Sequence, residues 1–550
     1  MSWNWIFVLC IGVSVTGCDR SESRISALDS SPQAQKPSDR IARIHFVGSA
    51  NAGQSTNIPF LTGVWELPET RELKSQTLNK LALAPFKIAK LRGIASTNDF
   101  AALFRPLLDD LVRAESWTEL RGETNQTPDF ALAVQLDAAR ADLWRTSLAT
   151  ILRDWTGLPV LETNVDGTPG WELKKHHAPN LIRFQQAGGW VILSAGEDKI
   201  ALADELAANF KAGGRPCPAA SNYVLSVEGD LTRVANLIPF PEDVQALQLS
   251  SVHAVWGISE DNISVHIVAS RDAAFDFKPE PWRVPTNLIH QPLVGFTAVQ
   301  GIGDLLATYF PRLKMSPMPE EYFVWTMQGV PLQSFIAAPV ENASNALEQM
   351  APQLLGMNTN PPATMAGKIE YSAKFSRVTW SGLLFLGPFI EGKHGSDGDF
   401  LFSGVFPNSP RGISLPEAML NEVMGGTNLI YYSWEVTSDR MSGLRALSQF
   451  YLMFADYRQL SGTSVSGRWL DAVTSRLGNS VTEMFLTKPN ELTLERKSPI
   501  GLTSFDLLML ANWLETPNFP FDKPIVPQRA GKGLRHRPAN TAPPAMPGMP

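Results

Sequence analysis

The chain has 550 residues, with 47 Lys+Arg against 54 Asp+Glu for a formal net charge of −7. Hydrophobic residues make up 44% and charged residues only 18%, so there is ample apolar surface to bury and wholesale disorder is excluded. An acidic balance offers no field to hold nucleic acid. At ~150 residues per domain, the length allows three or four domains.

Ile6 to Val15 is an apolar run followed by Thr16-Gly17-Cys18. A membrane-spanning helix needs ~20 such residues, so the run has instead the length of the apolar region of an export signal. Val15-Thr16-Gly17-Cys18 resembles the lipobox of bacterial prolipoproteins, in which an aliphatic residue and two small ones precede a Cys. The resemblance covers only this N-terminal segment. It implies that residues 1–17 are a signal peptide and that Cys18, the lipid attachment site, becomes the first mature residue with a diacylglycerol thioether. Met1-Ser2-Trp3-Asn4-Trp5 lacks the Lys or Arg with which such signals usually open. The residues alone also fit an ordinary cleaved signal or a buried apolar segment. Asp19 looks like the inner-membrane retention signal of enteric bacteria, which leans the expected location toward the inner membrane, facing the periplasm. Cys10 lies inside the signal, so Cys217 is the remaining thiol of the mature body and no internal disulfide can form. Nothing near it in sequence would activate it as a nucleophile.

Residues 18–40 are polar, rich in Ser, Pro and Gln, and read as a flexible tether. The next regions, 41–285 and 286–519, alternate strand-like and helix-like patterns. Phe130 to Leu136 reads as a buried strand and Ala138 to Trp155 as a helix. Leu181 to Gln186 and Trp190 to Ser194 flank Gly188-Gly189, a hairpin signal. A helix from about Asp198 to Lys211 stops at Gly213-Gly214. Tyr223 to Glu228, a short helix capped by Asp230, and a hairpin at Val252 to Ala269 follow in the same order. Leu293 to Val299, a helix near Asp304, paired runs at Tyr322 to Met327 and Leu332 to Ala337, and a helix at Ala343 to Leu355 repeat it. Lys368 to Phe406 is β-rich and extends a sheet. Leu429 to Val436, helices at Asp439 to Leu460 and Arg468 to Leu477, a hairpin at Val481 to Arg496 and a helix at Ser504 to Leu514 close the series, with Thr503 and Asp506 placed as a capping box. The expected class is therefore α+β, with repeated strand–helix–hairpin–helix units forming antiparallel sheets with packed helices. Residues 520–550 carry Lys523, Arg529, Lys532, Arg535 and Arg537 among prolines and read as a disordered basic tail.

The candidate chemistries are weak in sequence. Adjacent imidazoles at His176-His177 diverge on a strand and on a helix alike, so they do not grip a metal. His394-Gly395-Ser396-Asp397-Gly398-Asp399 offers oxygen ligands to a hard cation but lacks EF-hand spacing, and reads as a solvated turn. Gly301-Ile302-Gly303 sits between strand and helix as a dinucleotide turn would, with Leu306 where the third glycine belongs. Gly462 to Gly467 has the wrong spacing for a nucleophile elbow. Asp109-Asp110 and Asp397/Asp399 cannot be told from surface charge. Tyr431, Tyr432 and Trp434 fit sheet packing better than sugar stacking. The expectation is therefore no metal, no cofactor and no catalytic residues. The expected protein is lipid-anchored, with a non-catalytic binding or scaffolding role, attached to the membrane by its lipid and open to envelope protein partners. The rival is a hydrolase of envelope polysaccharide or peptide, which a cleft with two converging carboxylates of raised pKa, or a His beside a Ser, would favour.

Overall fold

The computed structural model describes most of the chain between residues 39 and 521. Residues 1–38, 522–550, the internal stretches 52–62, 92–99, 216–222, 238–246, 308–314, 357–367, 407–416 and 453–462, and some shorter ones lie outside the described residues. The segments expected to be a signal peptide and a basic tail, with Cys18 and Cys217, fall among them.

The first half contains β1 (Arg40–Phe46), α1 (Pro68–Leu91), α2 (Phe100–Arg113), β2 (Ser116–Arg121), β3 (Asp129–Gln135), α3 (Ala138–Thr156), β4 (Leu161–Val165) and β5 (Thr168–Lys174). It continues with β6 (Leu181–Ala187), β7 (Trp190–Gly196), α4 (Ala201–Lys211), β8 (Tyr223–Asp230), α5 (Leu231–Ala235), β9 (Ser251–Ile258) and β10 (Ile263–Ser270). The second half contains β11 (Leu293–Gln300), β12 (Glu321–Met327), β13 (Ser334–Val340), α6 (Ala343–Gly356), β14 (Lys368–Ser372), β15 (Arg377–Ser381), β16 (Phe389–Gly395) and β17 (Gly398–Gly404). Then come α7 (Glu417–Gly425), β18 (Leu429–Val436), α8 (Thr437–Leu452), α9 (Val465–Thr474), β19 (Asn479–Lys488), β20 (Glu491–Ser498) and α10 (Ser504–Glu515). The class is α+β.

Local chemistry accounts for many of these boundaries. Gly188 and Gly189 take φ of 55° and 82°, the positive values a two-residue hairpin requires. Asp137 accepts from the Arg140 N–H to start α3, and Gly157 ends it in the left-handed region. Asp230 caps α5 through the Arg233 N–H. Thr503 and Asp506 form the capping box of α10. β1, α1, α2, β2, β4, β5 and α7 are additions to the elements expected from hydropathy.

The twenty strands of the described residues form one antiparallel ladder. Its first ten run β4-β5-β6-β7-β3-β2-β1-β8-β9-β10. The ladder continues β20-β19-β18-β11-β12-β13-β17-β16-β15-β14. Adding ten to each strand number of the first half therefore reproduces the second. The halves meet at β10–β20, paired from Ile263↔Ser498 to Ser270↔Glu491, so like strand meets like across the seam.

Helices lie on both faces. On one face α1, α2 and α3 bury Leu81, Leu108, Trp144, Phe130, Trp171 and Phe184, while α4 covers the other through Leu202, Leu206 and Phe210 against Trp117 and Trp190. In the second half α6 packs Leu347 and Leu354 on Ile369, Val378 and Leu401. The opposite face there carries a ring-rich core around Phe323, Trp325, Phe335 and Phe402. Met441, Trp469, Val473, Leu507 and Ala511 of α8, α9 and α10 pack on Leu73 of α1. This helical layer ties the two halves together away from the seam.

Candidate functional site

β17 runs between β13 and β16, with Asp399 opposite both Val340 and His394. The chain leaves β13 at Val340 and turns through Asn342 into α6. That turn brings the first helical amide, Ala343 N–H, to 2.9 Å from Asp399 Oδ2. The other carboxylate oxygen, Oδ1, lies 2.8 Å from His394 Nδ1. His394 Nε2 in turn lies 3.3 Å from Ser344 Oγ, in the first turn of α6. Ser344 Oγ is also 3.0 Å from Ser376 Oγ. A carboxylate, an imidazole and a serine hydroxyl thus stand in sequence, in the order that activates a nucleophile.

Two backbone features make this approach possible. Gly392 of β16 faces the start of α6, and a Cβ there would stand 3.2 Å from the carbonyl carbon and oxygen of Ala343. Glycine lets the helix sit directly on the strand. Ser376 adopts φ 42° and ψ 55°, a left-handed conformation uncommon outside glycine, and its carbonyl accepts from Gly392 N–H at 2.9 Å. These contacts seat its hydroxyl beside Ser344.

The electrostatics agree with the geometry. The Ala343 amide holds the Asp399 carboxyl below its ordinary range, and the His394 ring acts in the same direction. An ionised Asp399 accepts the Nδ1 proton, so the tautomer assigned from these partners leaves Nε2 as acceptor for the Ser344 hydroxyl. Asn345 N–H donates to Asn342 Oδ1 at 2.8 Å and Ala346 N–H to Asn342 O at 3.0 Å. The Ser344 N–H is the amide of this turn with no acceptor among the described residues, where the helix dipole favours negative charge.

Two other polar clusters lie on the opposite face. Glu119 is 1% exposed, yet Arg43 reaches it at 3.3 Å, Arg121 at 2.5 Å and Arg40 at 3.5 Å, and Trp117 Nε1 donates at 3.1 Å. Burial pushes its carboxyl up, but the Arg43 and Arg121 guanidiniums outweigh this and hold it below the ordinary range. Beside it His45 bridges Glu115, at 2.9 Å, and Tyr223 Oη, at 2.8 Å. Nearer the seam, Tyr432 Oη donates to Glu422 at 2.8 Å. Glu483 is raised by burial first and then by Glu495 and Glu422. No group of three His, Cys, Asp or Glu able to hold a metal occurs among the described residues.

The sequence candidates fare differently. His394 and Asp399 stand at an exposed hairpin end, as a solvated turn requires, and also bind each other and α6, while Asp397 lies outside the described residues. Asp109 and Asp110 diverge. Asp110 is buried, accepting from Arg140 and from Trp144 Nε1 at 2.9 Å, whereas Asp109 pairs with Arg105. The Gly303 amide is filled by Glu320 Oε2 at 3.2 Å, so the chain's own carboxylate occupies the position a phosphate would take. Ser464 of the Gly462–Gly467 stretch caps α9. Tyr432 is fully buried while Tyr431 lies on the other face of the same strand, as sheet packing requires. Of the His176-His177 pair, only His176 is described. The Ser344–His394 contact is absent from the sequence reading; its one visible signal was the cluster of polar residues from His394 to Asp399.

No family model matches the chain, and no curated protein matches it. Among solved structures, crystal forms IV and III of TP0453 superpose at a TM-score of 0.23 and form I at 0.22, each at 10% identity. They cover 42%, 43% and 44% of this chain and 76%, 79% and 77% of those chains. Superposition at that level carries no argument about fold or function.

Proposed function

We propose that this chain is a lipid-anchored bacterial envelope protein, facing the periplasm, whose body serves a binding or scaffolding role that requires no chemistry. The observation that carries the reading is Thr16-Gly17-Cys18 directly after the apolar run Ile6 to Val15, followed by a polar tether long enough to hold the body off the membrane. Cys18 is the lipid attachment site, and Asp19 favours the inner membrane. Partners are the membrane, through the lipid, and proteins of the envelope; a net charge of −7 disfavours nucleic acid.

The finer architecture belongs to the same reading. The expected strand–helix–hairpin–helix units, opening at Phe130, Tyr223, Leu293 and Leu429, are diverged copies of one another, and the two halves, β1–β10 and β11–β20, descend from one ancestral half. The support is the strand order, which matches position for position between the halves. A repeated frame of this kind multiplies similar surfaces, which suits binding.

The test expresses wild type and Cys18→Ala in a bacterial host and labels with radioactive palmitate. Label in the wild type alone supports the reading. Equal labelling of both, or label in neither, overturns it.

A further inference from the structure

We infer that Ser344 is an activated nucleophile, with His394 as its general base and Asp399 as the group that orients the imidazole, and that this site cleaves short-chain O-acyl esters. This goes beyond the binding role and adds an activity at one end of the second half.

The two halves supply an internal comparison. The last strand pair is Ala187↔Trp190 for β6 and β7 and Gly395↔Gly398 for β16 and β17, so in both halves two residues separate the paired strand ends. Aligning the hairpins puts Gln186 and Val191 where His394 and Asp399 stand, and aligning the helix starts of α3 and α6 puts Ala139 where Ser344 stands. The same scaffold position is therefore satisfied in the first half by Ala139, Gln186 and Val191, with Val191 part of the core. The frame does not need the Ser–His–Asp set, so folding alone does not explain its presence.

Each atom has a role in acyl transfer. The Ser376 hydroxyl donates to Ser344 Oγ, leaving the Ser344 proton to point at His394 Nε2. Oγ attacks the ester carbonyl while Nε2 takes that proton, and the oxyanion forms beside the Ser344 N–H at the helix start. Collapse expels the alcohol, which takes the proton from Nε2, and leaves the acyl group on Oγ. Water then attacks the acyl carbonyl, giving a proton to Nε2 and releasing the acid as the proton returns to Oγ. Asp399 keeps its negative charge throughout. His394 is 58% exposed at its side chain, so a small ester reaches it freely. Phe375, which directly precedes Ser376 and is 64% exposed, offers apolar surface for a short acyl chain.

The full-length protein is incubated with a fluorophosphonate probe and, separately, with p-nitrophenyl butyrate, beside Ser344→Ala, His394→Gln and Ser376→Ala. Circular dichroism confirms that each variant is folded. The expected result is a single phosphonylated peptide containing Ser344, no labelling in Ser344→Ala, and a rate about 100-fold lower in His394→Gln. Hydrolysis of the butyrate ester follows the same ranking. Ser376→Ala lowers the labelling rate while leaving its pH midpoint unchanged, as a positioning residue should. Labelling on another serine, equal labelling of Ser344→Ala, or none in folded wild type overturns the proposal. All three outcomes are independent of palmitate incorporation at Cys18.

Discussion

Replacing Glu119 with Leu removes one acid from among three bases. The carboxylate is 1% exposed, whereas the side chains of Arg40, Arg43 and Arg121 retain 18%, 19% and 22% exposure. Removing one partner of a buried pair costs about 3–5 kcal/mol. Here the orphaned guanidiniums keep some water and have second partners, Glu228 for Arg40 and Glu205 for Arg121, which places the loss near the lower bound at about 3 kcal/mol, or roughly a 100-fold fall in the folding equilibrium. Glu119→Gln keeps the shape and an acceptor for Trp117, so about half the loss is expected. The pH dependence has a definite sign. The folded carboxyl lies below its ordinary 4.5, so its contribution is fully present above that value and disappears as pH falls through the lower folded value. The wild type therefore exceeds Glu119→Leu by a constant amount from pH 5 to pH 8, and by less toward pH 3. Urea unfolding followed by tryptophan fluorescence measures this. A difference below about 0.5 kcal/mol at pH 7, within the range of ordinary surface substitutions, or a gap unchanged at pH 3, refutes the reasoning.

Two further substitutions test packing. A Cβ on Gly188 would stand 2.1 Å from the Phe210 carbonyl oxygen, whereas one on Gly189 meets nothing within 4 Å; both have positive φ. Gly188→Ala should thus cost about 3 kcal/mol and Gly189→Ala only about 1–2 kcal/mol, read as the difference in thermal midpoints. Trp469 is 8% exposed and donates to Thr70 Oγ1 at 3.1 Å, joining α9 to the start of α1. Trp469→Ala should lose about 3–5 kcal/mol, and Trp469→Phe distinctly less, in the same urea assay.

Much of the local structure was legible because its causes are local. The capping box at Thr503 and Asp506, the Asp230 cap and the Gly188-Gly189 hairpin each depend on residues within three positions of one another. Period-two alternation likewise exposed β12, where Glu321 to Met327 alternates buried and half-buried positions. α1 and α2 were harder to see because each holds an internal proline, Pro85 and Pro106, and a proline usually marks a break. In the folded chain, packing between these helices and onto β1–β3 outweighs the missing hydrogen bond.

Tertiary structure decided what joins distant residues. Ile263 meets Ser498 across the seam, and nothing in β10 or β20 alone names its neighbour, because any antiparallel edge satisfies the same backbone groups. Glu119 stands in Ser-Trp-Thr-Glu-Leu-Arg, an ordinary half-exposed strand by composition; its burial rests on its own strand's Arg121 together with Arg40 and Arg43 from β1, far back in the chain, which neutralise it in place. Ser344 and His394 are likewise separated by a β-rich excursion that doubles back only in the folded sheet. Their contact depends on the strand order β13-β17-β16 and on the absence of a side chain at Gly392. Neither is a property of a linear motif: periodicity specifies which face a residue takes, and only the folded ladder specifies which residue it faces.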